Sequence, residues 1–207
     1  MSAPDADSLV ILLHGVGATG RDLAPLGSGL TPALPNTTFV APDAPFSFDQ
    51  GPGWQWFSLD GITAADRPQR VAAARSAFDF LLTGVIDTHG LTNRLDRVAL
   101  VGFSQGAIMA LDAVASGRWP VGAVVGFSGR LASPLPLEPA KQTPVLVVHG
   151  ADDPVIVPEE TEHAATVLAG LGVSVESHIL AGVGHVVAPE GLSLAAQFLA
   201  RTLGPLS

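Results

Sequence analysis

Five residues near the middle of the chain, Gly102-Phe103-Ser104-Gln105-Gly106, have the spacing of a nucleophilic serine on a tight turn. They follow the apolar run Arg97–Phe103 and open a stretch rich in Ala, Met and Leu, Gln105–Ser116. A serine between a strand and a helix is held in a strained backbone conformation, with its hydroxyl projecting above the sheet. Residues two before and two after it must be small, or they would collide across the turn. The start of the next helix adds partial positive charge where an oxyanion would form. A second Gly-Phe-Ser, at Gly126-Phe127-Ser128, offers a comparison within the same chain. It continues Gly129-Arg130, so the later glycine is missing, and no clear helix follows. Ser128 is therefore read as structural.

A serine hydroxyl attacks a carbonyl only with a base beside it, and the base needs an orienting carboxylate. Gly184-His185 follows the apolar run Val175–Leu180, and Gly150-Ala151-Asp152-Asp153-Pro154 follows Pro144–His149. Both lie at candidate strand ends, in the chain order Ser104, Asp, His185. His185 is the candidate base, and the residues alone leave Asp152 and Asp153 open as the acid. His14 and His149 each precede a glycine at a strand end and are expected to brace loops through hydrogen bonds. His89, His163 and His178 fall on helix or strand positions, and no histidine pair has metal-ligand spacing. No metal and no cofactor is expected.

An oxyanion needs two backbone N–H groups aimed at one point. One is that of Gln105, directly after the serine. The other is assigned to Val16, in the loop His14-Gly15-Val16-Gly17-Ala18-Thr19-Gly20. This loop also fits G-x-G-x-x-G, a dinucleotide cue. No acidic residue ends a second strand about 20 residues on, because Asp43 sits inside an aromatic stretch.

These groups need a scaffold. Candidate strands are Leu9–Leu13, Thr38–Ala41, Arg97–Phe103, Val121–Phe127, Pro144–His149 and Val175–Leu180. Most are continuous apolar runs, the pattern of strands buried on both faces of a parallel sheet. Helices are expected over Pro68–Leu82, Gln105–Ser116, Pro158–Leu171 and Pro189–Leu203, the last stopped by Gly204-Pro205. Alternating strands and helices imply βαβ units, in an α/β fold with helices on both faces of the sheet. Residues 42–65 and 129–143 read as long surface excursions. The first carries Trp54, Trp56 and Phe57, expected to line a substrate pocket, and Gly51-Pro52-Gly53 interrupts it too soon for a large cap domain.

Composition narrows the field. The chain has 207 residues, a length for one domain over 1–207, and is 47% hydrophobic but only 14% charged, which excludes disorder as its main state. A net charge of −9 without a basic stretch leaves no footprint for nucleic acid. No apolar run is long enough for a membrane span. The absence of Cys excludes disulfides and thiolate chemistry. The polar, acidic start Met1–Ser8 lacks a signal-peptide pattern, so a cytoplasmic protein is expected. Nine Arg against one Lys, with abundant Ala, hint at a GC-rich bacterial genome.

Taken together, the chain resembles the α/β-hydrolase superfamily, in particular its phospholipase/carboxylesterase family, which includes acyl-protein thioesterases. The pieces that carry the resemblance are Leu12-Leu13-His14-Gly15-Val16-Gly17, Ala41-Pro42-Asp43-Ala44-Pro45, Trp56-Phe57, Gly102 to Ala107, Phe127-Ser128-Gly129, His149 to Pro158, and Gly184-His185. The resemblance implies a mostly parallel sheet of six to seven strands, with the six candidates as the fold's third to eighth. It implies Asp153, rather than Asp152, as the acid, and Val16 with Gln105 as the oxyanion hole. Where Gly often follows the pentapeptide, this chain has Ala107, and Val16 replaces the commoner Leu. The expected activity is a serine carboxylesterase on short- to medium-chain esters. The alternatives are a lysophospholipase or acyl-protein thioesterase, and, more remotely, a non-catalytic binding module. The expected partner is a small-molecule ester, with a homodimer left open.

Overall fold

The computed structural model describes residues 7–204. Most of the polar start, residues 1–6, and Pro205 of the expected helix stop lie outside them. The chain runs β1 (Ser8–Leu13), α1 (Ala24–Leu30), β2 (Thr37–Val40), β3 (Phe46–Ser47), β4 (Trp54–Gln55), α2 (Arg67–Thr88), β5 (Val98–Phe103), α3 (Gln105–Ala115), β6 (Ala123–Phe127), β7 (Val145–Gly150), α4 (Glu159–Gly170), β8 (Val175–Leu180) and α5 (Pro189–Leu203). Six strands form one sheet in the order β2-β1-β5-β6-β7-β8, with every pairing parallel. All six expected strands are present, shifted by at most two residues at either end.

Burial follows from pleat. Leu9, Ile11 and Leu13 of β1 face one side of the sheet, where Val71, Phe78, Leu82 and Ile86 of α2, with α3 and α4, cover them. Val10 and Leu12 face the other side, under Leu26 and Leu30 of α1 and Ala195, Phe198 and Leu199 of α5. Both faces are therefore apolar, and β1, β5, β6 and β7 need no polar alternation. The edge strands differ. Glu176 of β8 is exposed and pairs with Arg201 of α5 at 2.7 Å, which protects an open sheet edge with charge.

Two helices depart from the expectation. α2 extends to Thr88, because Ile86 continues the buried stripe beyond Leu82. α1 has no counterpart among the expected helices: its sequence, APLGSGL, places two glycines, poor helix formers, in a seven-residue helix. Packing of Leu26 and Leu30 against the sheet and α5 overrides propensity there.

The segment 42–65 is not a plain surface excursion. It folds back as the ribbon β3–β4 and buries Ala44, Trp56 and Phe57 in the α2-side core. Among the described residues, no helix is long and apolar enough to cross a membrane.

Candidate active site

The sheet delivers the chemistry at the C-terminal ends of its parallel strands. Ser104 lies between β5 and α3 with φ 52° and ψ −115°, a conformation that costs energy for any residue with a side chain. Its neighbours explain how the turn closes. A Cβ on Gly102 would run into the backbone of Gly106 and Ala107, and one on Gly106 would run into Leu13 O of β1. The two glycines therefore allow α3 to pack directly over the strand ends.

Ser104 Oγ lies 3.0 Å from His185 Nε2, and His185 Nδ1 lies 2.7 Å from Asp153 Oδ2. Asp153 Oδ1 accepts the N–H groups of Val155 at 2.8 Å and Ile156 at 3.0 Å. The carboxylate can only accept, so His185 Nδ1 carries its proton and Nε2 presents a lone pair to the serine hydroxyl. Burial alone would raise the Asp153 pKa, but the bond from His185 and the two backbone N–H groups hold it below the ordinary carboxylate value. Asp152, the other candidate acid, is exposed and joins none of these bonds.

His149 braces a loop, as expected from its place before a glycine at a strand end, and it also reaches the acid itself. Its Nε2 lies 2.7 Å from Ile156 O and 3.0 Å from the same Asp153 Oδ2, while Nδ1 meets Thr161 Oγ1 at 2.7 Å. It thus braces the acid loop from beneath. His14 braces the other side: its Nδ1 donates to Gly15 O at 2.7 Å, and its Nε2 accepts the Ala44 N–H at 2.9 Å.

The amides of the glycine-rich loop are largely spoken for. Gly17 N–H bonds Trp54 O, Ala18 N–H bonds Gly15 O, Thr19 N–H bonds Asp22, and Gly20 N–H bonds Asp43. Among the described residues, Val16 N–H has no protein acceptor. A loop whose amides are already paired cannot cradle a pyrophosphate, so the dinucleotide alternative fails here. Gln105 is the first residue of α3, and its N–H lies outside the helix ladder.

The Gln105 side chain holds a second position. Its Oε1 accepts the Trp56 N–H at 2.8 Å, and its Nε2 donates to Phe57 O at 2.7 Å. One residue thus ties the aromatic segment to the serine turn. Two cavities meet here. One, of about 460 Å³, is lined by His185, Val186, Val187, Phe103, Leu26 and Val16. The other, of about 160 Å³, contains Ser104, Gln105 and Val16, walled by Phe57, Leu59, Ile62, Ile108, Val155 and Ile156.

The expected pocket aromatics are corrected accordingly. Phe57 does line the smaller cavity. Trp56 does not: it is 1% exposed, its indole N–H donates to His14 O at 2.8 Å, and its ring packs edge-on against Phe78. Trp54 lines neither cavity. It pairs through its backbone with Gly17 and Ala18, at N–H···O distances of 2.8 and 3.0 Å. Both tryptophans support the loop that carries Val16.

A parallel sheet in this order, with a serine at a strand-to-helix turn, defines an α/β-hydrolase. A family model described as Phospholipase/Carboxylesterase matches residues 2–203, and the chain belongs to that family. It is 31% identical over 205 residues to the Esterase YpfH of Escherichia coli (strain K12), an alignment covering 98% of this chain and 87% of that protein. It is 29% identical to an Acyl-protein thioesterase 1 of Gibberella zeae, covering 99% and 94% of the two chains. Among solved structures it is similar to esterase PE8, with 38% identity, a TM-score of 0.87, and 96% and 94% of the chains covered.

Proposed function

We propose that this chain is a serine carboxylesterase that hydrolyses short- to medium-chain esters through an acyl-enzyme. The observation that carries the reading is the hydrogen-bonded series from Ser104 through His185 to Asp153, beside two amides left unpaired among the described residues. Ser104 Oγ attacks the acyl carbon as His185 Nε2 takes its proton. The carbonyl oxygen becomes an oxyanion held by the Val16 and Gln105 N–H groups. Asp153 stabilises the imidazolium, which returns the proton to the departing alkoxide. Water then attacks the acyl-enzyme: His185 removes its proton and returns it to Ser104 Oγ as the carboxylic acid leaves.

Proton delivery fixes the two sides of the site. The leaving oxygen must face His185 Nε2, so the alcohol portion occupies the larger cavity beside His185. The acyl chain then enters the smaller cavity, against Phe57, Leu59 and Ile62. Each methylene buried there contributes about 0.8 kcal/mol, or roughly fourfold in kcat/KM, until the cavity is full. A screen of nitrophenyl esters from C2 to C16 tests this. The reading expects kcat/KM to climb over the first carbons and level off by about C8. A rise continuing to C16 would instead support a lysophospholipase or acyl-protein thioesterase.

A further inference from the structure

The acyl-side cavity has an unexpected wall. Besides its apolar residues it is lined by Arg67, at the start of α2, and Arg130, just after β6, and no acidic residue among those described lines it. The two arginines lie 63 residues apart in sequence, yet both line the cavity that contains Ser104. Arg130 keeps only 17% of its side chain in water and pairs with Glu160 at 2.9 Å. Among the described residues, the Arg67 guanidinium has neither an ion pair nor a hydrogen bond, although it is half-buried. Burial pushes the Arg130 pKa below its ordinary value, and the like charge of Arg67 adds to this against the pull of Glu160. Glu160 thus balances one of the two positive charges, and the other is left facing the cavity of a chain whose net charge is −9.

A neutral acyl chain gains nothing from this arrangement. Guanidinium groups bind carboxylates through a planar, bidentate fork, and such charge-assisted bonds are stronger than neutral ones. Given the esterase reading above, on which this rests, we infer that the acyl group carries a terminal carboxylate: the substrates are half-esters of short dicarboxylic acids. The ester carbonyl sits at Ser104, a few methylenes cross the apolar walls, and the free carboxylate meets Arg67 and Arg130. Hydrolysis then releases an alcohol and a dicarboxylate.

The test compares three esters with the same six-carbon acyl chain: monomethyl adipate, dimethyl adipate and methyl hexanoate. Hydrolysis is followed by base uptake at low ionic strength. The wild-type protein should give monomethyl adipate a kcat/KM at least about tenfold above both neutral esters, since bonds to a charged group stabilise by more than a decade's worth. Salt at about 0.5 M should erode that advantage. Arg67→Gln should bring the ratio of charged to neutral ester close to one, mainly through KM, and Arg67→Lys should keep part of it. Arg130→Gln should act in the same direction. The inference is overturned if the wild type prefers the neutral esters, or if the ratio survives Arg67→Gln. Failure to hydrolyse any of the three, or nitrophenyl acetate, would instead overturn the esterase reading beneath it.

Discussion

Asp153→Asn separates a positioned acid from a merely buried one, because the geometry dictates which way the new amide must face. In the native site Asp153 Oδ1 accepts two backbone N–H groups, from Val155 and Ile156, and Oδ2 accepts His185 Nδ1–H. An asparagine has one carbonyl oxygen to offer. Two donors outcompete one, so that oxygen stays with Val155 and Ile156, and the NH2 group turns toward His185. The imidazole must then carry its proton on Nε2, where it points at Ser104 instead of accepting from it. The amide also faces the Nε2–H of His149, which keeps Ile156 O as its acceptor. A forced wrong tautomer of this kind costs about 10⁴ in kcat in a serine protease, or roughly 5.4 kcal/mol at 1.36 kcal/mol per decade. The assay is steady-state hydrolysis of nitrophenyl butyrate by the folded variant, with circular dichroism confirming the fold. Asp152→Asn should stay within about twofold of wild type, since its side chain is exposed. A kcat for Asp153→Asn within tenfold of wild type, or a larger loss in Asp152→Asn, would refute the reasoning.

Three further outcomes follow from the packing and charge around the site. Trp56→Ala should lower stability by about 3–5 kcal/mol in urea unfolding, because it empties a fully buried position and frees His14 O; unchanged stability with altered chain-length preference would mean that Trp56 lines the pocket after all. Asp112 is buried beneath Arg75 at 2.7 Å and Arg118 at 2.9 Å; burial alone would raise its pKa, but the two guanidiniums hold it below the ordinary 3.8. Its contribution is therefore complete above the carboxylate range and is lost as pH falls through the depressed value, so Asp112→Asn should cost about 3 kcal/mol at neutral pH, with the gap to wild type closing in strong acid; a gap that widens in acid would reverse the sign. A chelator should leave ester hydrolysis unchanged, since among the described residues no three metal-binding side chains gather into a ligand set; loss of activity restored by a divalent ion would contradict this.

The parts of the site legible in the sequence are those whose constraints are local. The Ser104 turn needs glycines two residues either side, and the collisions awaiting a Cβ at Gly102 and Gly106 are contacts with the turn itself and the adjacent strand. The sheet is legible for a similar reason, since each buried strand announces itself within a run of six residues. Asp153 is not separable from Asp152 by residue type; the choice depends on where Gly150 leaves the sheet and on the turn that Val155 and Ile156 N–H groups close. Trp56 misleads because an aromatic beside glycines looks alike as a pocket wall or as a pillar. Its bonds to Gln105 Oε1 and His14 O, with the ring of Phe78, make it a pillar. Arg67 and Arg130 carry no local signal at all, because only the fold brings the start of α2 and the segment after β6 to one cavity.

Covalent capture of the nucleophile tests the central proposal most directly. A fluorophosphonate probe reacts with a serine whose hydroxyl is activated by a base and whose oxyanion is stabilised. After digestion, mass spectrometry should locate the adduct on Ser104 alone, and His185→Ala should abolish it. Ser128 also has a positive φ, of 47°, but is 1% exposed, and among the described residues no hydrogen bond links it to a histidine. An adduct on Ser128, or ester hydrolysis that continues with no serine labelled, would contradict the assignment of Ser104 as the nucleophile.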